Sequence, residues 1–322
     1  DRSLIQAGIR YDYGNIVTYE YYDWFPSPVV EDGDTSMQYL QRAENINRKF
    51  SNLTWSIGYN YNGTKWSYKV NVGKSFRMPI AKELAANGVN YHHFSYEVGN
   101  ADLSPEISYQ LDAGIEYGFK RFAIGATPFL NYFTNYIYLN PTSEHDRLYG
   151  NGNQVYYYSE SKVFRYGAEL HAHYELSKSF QLGIIGEYVY SEQMSGEKKG
   201  FTLPFSPPPS GIFNIKYHRQ KIKFIENAYV SLDYRITAAQ NNIVPPEELT
   251  DGYQLVNLGM GCDIPIKNQR ISISMQVQNL FNTKYFNHTS YYRLINVPEP
   301  GRNFIVNISV PFSGKISKKN NY

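Results

Sequence analysis

Several features that define common protein classes are missing from this sequence. The 322 residues include one cysteine, Cys262, so an intrachain disulfide scaffold is excluded. Apolar stretches all fall short of the roughly eighteen residues that a membrane-spanning helix needs, so no such helix is predicted. The formal net charge is only +2, which does not indicate a nucleic-acid partner.

Aromatic residues, by contrast, are abundant. The chain has 32 Tyr, 18 Phe and 3 Trp, and together they make up 16% of its residues. Tyr and Trp combine an apolar body with a polar tip, which suits the boundary between membrane and water. A soluble, aromatic-rich β protein fits this composition equally well. The positions of these residues along the chain are therefore needed to distinguish a membrane protein from a soluble one.

Apolar and polar residues alternate with a period of two along most of the chain, which indicates β-strands. In residues 51–61, one face carries Leu53, Trp55, Ile57, Tyr59 and Tyr61. The other face carries Asn52, Thr54, Ser56, Gly58 and Asn60. Charged and amide side chains recur on one face of nearly every strand, as in a barrel with a water-filled or plugged lumen and lipid outside. We therefore predict an all-β fold, a transmembrane antiparallel β-barrel.

The lengths of the connections point to the same fold. We predict twelve strands, at residues 3–20, 48–62, 65–76, 106–118, 121–138, 154–176, 179–191, 209–218, 222–238, 252–265, 269–280 and 302–312. Short turns at 62–64, 119–120, 177–178, 219–221 and 266–268 alternate with long joins near 21–47, 77–105, 139–153, 192–208, 239–251 and 281–301. Segregation of short turns from long loops is typical of outer-membrane barrels.

Charge follows the same division between short turns and long loops. The short turns and their flanks are basic, with Lys120, Arg121, Lys178, Arg219, Lys221, Lys223, Lys267 and Arg270. The long loops lean acidic: the first carries Asp23, Glu31, Asp32, Asp34 and Glu44 against Arg42. Such loops are expected to attract cations weakly, because salt screens exposed charges over about 8–10 Å.

Three phrases carry a resemblance to a known family. Residues 74–106 read KSFRMPIAKELAANGVNYHHFSYEVGNADLSPE, residues 279–285 read NLFNTKY, and residues 300–304 read PGRNF. Their order and spacing resemble those of TonB-dependent receptors. Asn279 and Asn282 suit a bend where a strand enters a loop, Gly301 permits unusual backbone angles, and Phe312 suits an aromatic girdle at the inner interface.

The resemblance implies more than the chain contains. Residues 1–312 would be the C-terminal portion of a barrel of about 22 strands, and residues 313–322 a polar, basic tail. About ten strands and an N-terminal plug would be missing, either removed or present as another chain. Through that plug, the TonB–ExbB–ExbD complex would drive import across the outer membrane. The implied cargo is an iron chelate of siderophore or haem type. Zinc is the alternative, because the 83–100 phrase is similar to a receptor subgroup that includes zinc importers.

Candidate site residues lie in two of the long joins. Tyr91, His92, His93, Tyr96 and Glu97 are the expected substrate-binding residues. Histidine with carboxylate suits zinc or another borderline metal, and the expected metal ligands are His92, His93, His145 and Asp146. The alternative interpretation is that these residues only shape a loop or its contact with the plug. No cofactor is expected.

The remaining polar residues have simpler interpretations. His171 and His173 share a strand face and are expected to line the lumen, whereas Cys262 is expected to face lipid. Asp112, Asp233 and Asp263 have no partner base at informative spacing, so an outer-membrane enzyme is the weakest hypothesis. A passive porin or structural barrel, closed by this chain alone, remains a second functional class.

Overall fold

The computed structural model describes residues 2–146, 152–266 and 269–311. Within them it contains β1 (Ser3–Thr18), β2 (Tyr21–Tyr22), β3 (Ser27–Glu31), β4 (Asp34–Gln38), β5 (Gln41–Ala43), β6 (Ile46–Asn62), β7 (Trp66–Arg77), α1 (Ala81–Ala85), β8 (Asn87–Asn90), β9 (Ser95–Val98), β10 (Glu106–Phe119), β11 (Phe122–His145), β12 (Gln154–Glu175), β13 (Phe180–Gln193), β14 (Ser210–Ile222), β15 (Ile225–Thr237), β16 (Tyr253–Ile266), β17 (Gln269–Gln278), a 3₁₀ helix (Tyr291–Ile295) and β18 (Asn303–Ser309). No helix among these residues is long and apolar enough to cross a membrane.

Twelve long strands form one sheet in chain order, β1-β6-β7-β10-β11-β12-β13-β14-β15-β16-β17-β18. Every neighbouring pair along this path is antiparallel. This confirms the predicted all-β, antiparallel architecture with twelve strands. The sheet is open, since β1 and β18 share no ladder among the described residues. Among the residues that the structure describes, these twelve strands therefore do not close into a ring.

The ladders bring apolar side chains together on one face of the sheet. Ile57 lies opposite Val72, and Val72 lies opposite Leu111 on its other side. The polar face has matching pairs, such as Asn71 opposite Asp112. If one strand slipped by one residue against its neighbour, its apolar side chains would move to the polar face. The separation of apolar and polar pairs therefore specifies the register of each ladder. The apolar face stays exposed on the protein, as a lipid-facing surface must.

Two predicted boundaries are wrong. The turn expected at 219–221 lies at Lys223 and Phe224, because the ladder continues past it with Lys221 paired to Glu226 and Ile222 to Ile225. The strand expected to end near 138 runs on to His145, with Pro141 opposite Tyr156. Proline usually signals a strand end because it lacks an N–H, but here the hairpin of β11 and β12 extends well beyond that signal.

The NLFNTKY segment bends at Asn279 and Asn282, as expected. Gly301, which packs against Asn282, does not have the unusual backbone angles that were expected of it. Asn279 and Asn282 both adopt left-handed backbone angles, with φ of 49° and 55°. Gly301, by contrast, does not have a positive φ. A side chain there would lie 2.5 Å from Oδ1 of Asn282, which instead accepts a hydrogen bond from the Arg302 N–H at 2.9 Å. A side chain at position 301 would therefore force Asn282 to shift and give up this hydrogen bond. Phe312 and the tail 313–322 lie outside the described residues.

The buried core is small and lies at the long-loop end. One cluster joins Ile46, Leu84, Ala85, Leu103 and Ile137, so α1 and the segment after β9 pack against β6 and β11. A chain of ion pairs supports it. Arg77 reaches Glu83 at 2.9 Å and Glu106 at 3.1 Å, and the Glu83 carboxylate also accepts from the Ile80 N–H at 2.9 Å. The segment between β7 and β10 is therefore folded structure rather than a loose loop.

We predict that Gly99→Ala detaches this segment from the sheet. Gly99 donates a backbone hydrogen bond to Ala86 at 2.6 Å, and a Cβ there would lie 2.6 Å from the Ala85 nitrogen. Overpacking against backbone of this kind costs about 1–3 kcal/mol. Limited proteolysis of the full-length protein should show faster cleavage between residues 78 and 105.

Gly118→Ala is the matched control, because a Cβ at Gly118 has nothing within 4 Å. Its cleavage pattern should equal that of the unaltered protein. Equal cleavage of the Gly99 and Gly118 variants would contradict the packing argument.

Candidate functional site

The candidate residues lie on a small hairpin, β8 and β9, at the long-loop end. Val89 pairs with Tyr96 within the hairpin, and β9 then pairs in parallel with β12, with Tyr96 opposite Val155. On the other side of β12, Gln154 lies opposite His145 of β11. The fold therefore brings the two predicted regions, 91–97 and 145–146, into one local sheet ordered β8-β9-β12-β11.

Glu97 is the centre of this hairpin, and its carboxylate is 1% exposed. Lys82 of α1 forms an ion pair with Oε2 at 2.5 Å, and the Tyr158 hydroxyl of β12 donates to the same oxygen at 3.0 Å. The Asn90 amide donates to Oε1 at 2.7 Å, and Nδ1 of His93 lies 3.0 Å from it. Burial by itself would raise the pKa of Glu97, but these donors and the Lys82 charge outweigh it and lower that pKa.

His93 is held by contacts that leave it little freedom. Its ring stacks on Tyr291 of the 3₁₀ helix, with centroids 4.0 Å apart and planes 7° apart. Its Nδ1 is already engaged by Asn90 and Glu97. His93 and Glu97 therefore join the hairpin to the loop between β17 and β18, which agrees with the interpretation that these two residues shape the loops.

Tyr91 and His92 are different, because they stand at the tip of the hairpin and are exposed, Tyr91 by 81%. Both line a cleft of about 660 Å³ between the hairpin and the first long loop. Its wall includes Lys82 and Arg42, and Arg42 contacts Asp23 through Nε at 2.9 Å and Nη2 at 2.7 Å. The cleft thus presents an imidazole and a phenol beside two cations, each paired with a carboxylate: Arg42 with Asp23, and Lys82 with Glu97.

Tyr96, His145 and Asp146 do not line the cleft. The Tyr96 hydroxyl donates to Oδ1 of Asn87 at 2.8 Å, and burial, with Asp146 nearby, raises the Tyr96 pKa. Asp146 is buried and accepts from the Asn153 amide at 2.6 Å, whereas His145 is exposed at the end of β11. Among residues 2–146, 152–266 and 269–311, no three His, Cys, Asp or Glu side chains are grouped so as to hold a metal ion.

The open antiparallel sheet and its loop cleft can now be compared with known proteins. The sequence profile described as "TonB dependent receptor-like, beta-barrel" matches residues 1–280. The chain belongs to the TonB-dependent receptor family. An outer-membrane location and a lipid-facing apolar surface follow from this membership.

Individual relatives of this receptor chain are distant. It is 24% identical over 255 residues to an iron-regulated outer membrane virulence protein of Vibrio cholerae, covering 77% of this chain and 37% of that protein. Among solved structures, it resembles the copper transporter OprC (TM-score 0.75, 19% identity, 97% of this chain and 46% of that one). It also resembles the FrpB iron transporter of Neisseria meningitidis (TM-score 0.62, 15% identity, 96% and 43%). At such identities the structural likeness concerns the fold.

The receptor chain thus spans less than half the length of these relatives. Its sheet carries a cavity of about 710 Å³ lined in part by His171, His173, Asp233 and Arg235. Within it the Asn214 amide donates to Asp233 at 2.5 Å. The two histidines therefore share this cavity with charged residues, and their luminal position stays a prediction.

A second buried polar cluster in the receptor's loops was not predicted. Glu247, whose side chain is 3% exposed, accepts from the Phe205 N–H at 2.9 Å and lies 3.5 Å from Arg293. It therefore ties together the three loops that follow β13, β15 and β17. Nearby, burial lowers the pKa of His288 to about 4, so this histidine is neutral at pH 7. Only the acidic run EE at 247–248 was visible in the sequence.

The hairpin's order should depend on pH through Glu97. Its folded pKa lies below the ordinary 4.5, so its stabilising contribution is present above pH 4.5 and is lost as the pH falls through the folded value. We predict that amide protection in residues 87–98, measured by hydrogen exchange in the full-length receptor, persists at pH 7 and falls below pH 4.5. Glu97→Gln should lower that protection at pH 7 by about 1–3 kcal/mol.

Glu44→Gln is the control, because Glu44 is an exposed loop residue whose carboxylate takes no part in the hairpin. Protection of the hairpin should be unchanged in it. A Glu97→Gln receptor with full protection at pH 7 would refute the central role of this carboxylate.

Proposed function

We propose that this chain is part of an outer-membrane receptor that imports an iron chelate, of siderophore or haem type, driven by TonB–ExbB–ExbD. Contact with that complex would run through a plug outside this sequence. The observation that carries the proposal is the cleft beside β8 and β9. Its volume suits a small molecule. His92 is exposed in its wall, and Lys82 retains N–H groups beyond its ion pair with Glu97, so both offer hydrogen-bond donors suited to anionic chelate oxygens.

The names of the relatives point in the same general direction. One is iron-regulated, and one is an iron transporter, whereas another transports copper. These names leave the metal open, so the choice of an iron chelate rests on the cleft. The passive barrel fits less well, because the sheet of the described residues does not close on itself and the family is one of receptors.

Within the cleft, we assign ligand contact to Tyr91 and His92. Their side chains are exposed at the hairpin tip, while Glu97 and His93 beneath them are engaged by the protein. A rigid base with exposed contact groups lowers the ordering cost of binding. Tyr96 lies behind this surface and supports it.

Zinc uptake remains the second candidate, because one observation favours it. His92 lines the same cleft as the carboxylates Asp23 and Glu97, and imidazole with carboxylate is a typical zinc donor set. His145 and Asp146 stand two strands away in the local sheet. A zinc site built from both regions would need movement of the hairpin tip.

Uptake assays in a deletion strain test the function. The strain, complemented with the full-length receptor, is supplied with radiolabelled ferric siderophores, haem iron, zinc or copper. We expect complementation to restore uptake of at least one iron chelate. Unchanged uptake of every iron source after deletion would contradict the proposal.

Variants then separate the two cargoes. We predict that His92→Ala weakens chelate binding by about tenfold, the equivalent of about 1.4 kcal/mol for one lost charge-assisted contact. His145→Ala is the matched control, since His145 is exposed nearby but lies outside the cleft. The chelate proposal predicts an effect from His92 alone. Loss of zinc uptake in both variants, with chelate uptake intact, would establish the alternative.

A further inference from the structure

Two turns at the short-turn end place lysine where the backbone does not favour it. Lys120 has a φ of 53° in the turn between β10 and β11, and Lys223 has a φ of 54° in the turn between β14 and β15. Positive φ in two-residue turns is normally met by Gly, Asn or Asp, because a longer side chain is strained there. Strained positions that persist often mark a functional side chain.

Lys120 is part of a compact cationic group. The Gly118 N–H donates to the Lys65 carbonyl at 2.7 Å, which places the β6–β7 and β10–β11 turns side by side. The Lys65 ammonium lies 4.4 Å from the centre of the Phe119 ring, and the Lys120 ammonium lies 5.1 Å from it. Arg121 follows directly and is exposed. In the part of the chain that the structure describes, none of these three cations forms an ion pair with a carboxylate.

The group sits directly beneath a lipid-facing aromatic belt. Trp66 and Tyr117 pack with ring centres 4.6 Å apart, and Phe122 packs against Tyr174 at 6.5 Å. Aromatic girdles of this kind mark the level of the lipid headgroups. Because short turns face the periplasm in this family of barrels, these cations lie at the headgroups of the periplasmic leaflet.

We propose that Lys65, Lys120 and Arg121 form a binding site for the phosphate of an anionic phospholipid in the periplasmic leaflet. Cations near an anionic lipid surface are stabilised by it, and an anion between Lys65 and Lys120 offsets their mutual repulsion over the Phe119 ring. The site would anchor the receptor at that leaflet. This role is separate from ligand import, so it can fail while the proposed function stands.

The Lys120→Gly variant gives a test in which thermal stability and lipid binding are expected to change in opposite directions. The full-length receptor is reconstituted in phosphatidylethanolamine nanodiscs, with or without phosphatidylglycerol, and its Tm is measured. For the unaltered receptor, we expect phosphatidylglycerol to raise the Tm, and high salt to reduce that gain. Lys120→Gly should raise the Tm in phosphatidylethanolamine alone, because it relieves the turn, and should lose most of the gain from phosphatidylglycerol.

The Lys65→Gln and Arg121→Gln variants should also show a smaller Tm gain from phosphatidylglycerol. Their Tm in phosphatidylethanolamine alone should not rise. Lys199→Gln is the control, because it removes the same charge from an exposed residue of the loop after β13, at the opposite end. Its gain should be unchanged.

Three results would overturn the proposal. A full phosphatidylglycerol gain in both Lys120→Gly and Lys65→Gln would show that the site binds no lipid. If Lys199→Gln lost as much of the Tm gain from phosphatidylglycerol, the gain would depend only on the net charge of the receptor. Soluble peptidoglycan fragments that raise the Tm in detergent, where phosphatidylglycerol does not, would assign the patch to an anionic polymer instead.

Discussion

A peptide group inside hydrocarbon has no water to bond, so leaving its N–H or C=O unpaired costs several kcal/mol, on the order of 2–7. This constraint explains why twelve long strands join edge to edge in chain order. It also bears on β1 and β18, each of which has one neighbour on this path among the described strands. In a bilayer their outer edges would need further strands as hydrogen-bond partners.

Beyond the hydrocarbon the constraint relaxes, and other interactions shape the chain. The loops are held by buried carboxylates, each of which accepts bonds from several segments: Glu97 from α1, β8 and β12, and Glu247 from the loops after β13 and β17. A buried carboxylate is costly unless its oxygens are fully engaged, so each of these groups requires its loops to meet in one arrangement. The exposed Tyr91 and His92 are carried on a base fixed in this way.

Features that depend on neighbouring residues in the sequence were predictable, whereas features that depend on contacts between remote residues were not. Alternation is local, so the faces of the strands were predictable. The extension of β11 through Pro141 was not, because it depends on pairing with Tyr156 across the hairpin. The role of Glu97 was also hidden, since its main partners, Lys82 and Tyr158, are remote in sequence. Gly301 was assigned to backbone freedom, but the cause is the Asn282 side chain packed against it.

Charge shows most clearly why position matters more than composition. By count, the long loops are acidic and should attract cations. In the structure, however, Asp23 is bound to Arg42, and Glu97 to Lys82, so their negative charge is largely spent within the protein. At the short-turn end the pairing is sparser: Arg270 meets Glu226, whereas Lys65 and Lys120 share only the Phe119 ring. The field at each end is set by the charges left unpaired. Unpaired lysines at the short-turn end suit an anionic lipid surface, whereas in the cleft Lys82 and Arg42 keep only the N–H groups that Glu97 and Asp23 leave unused.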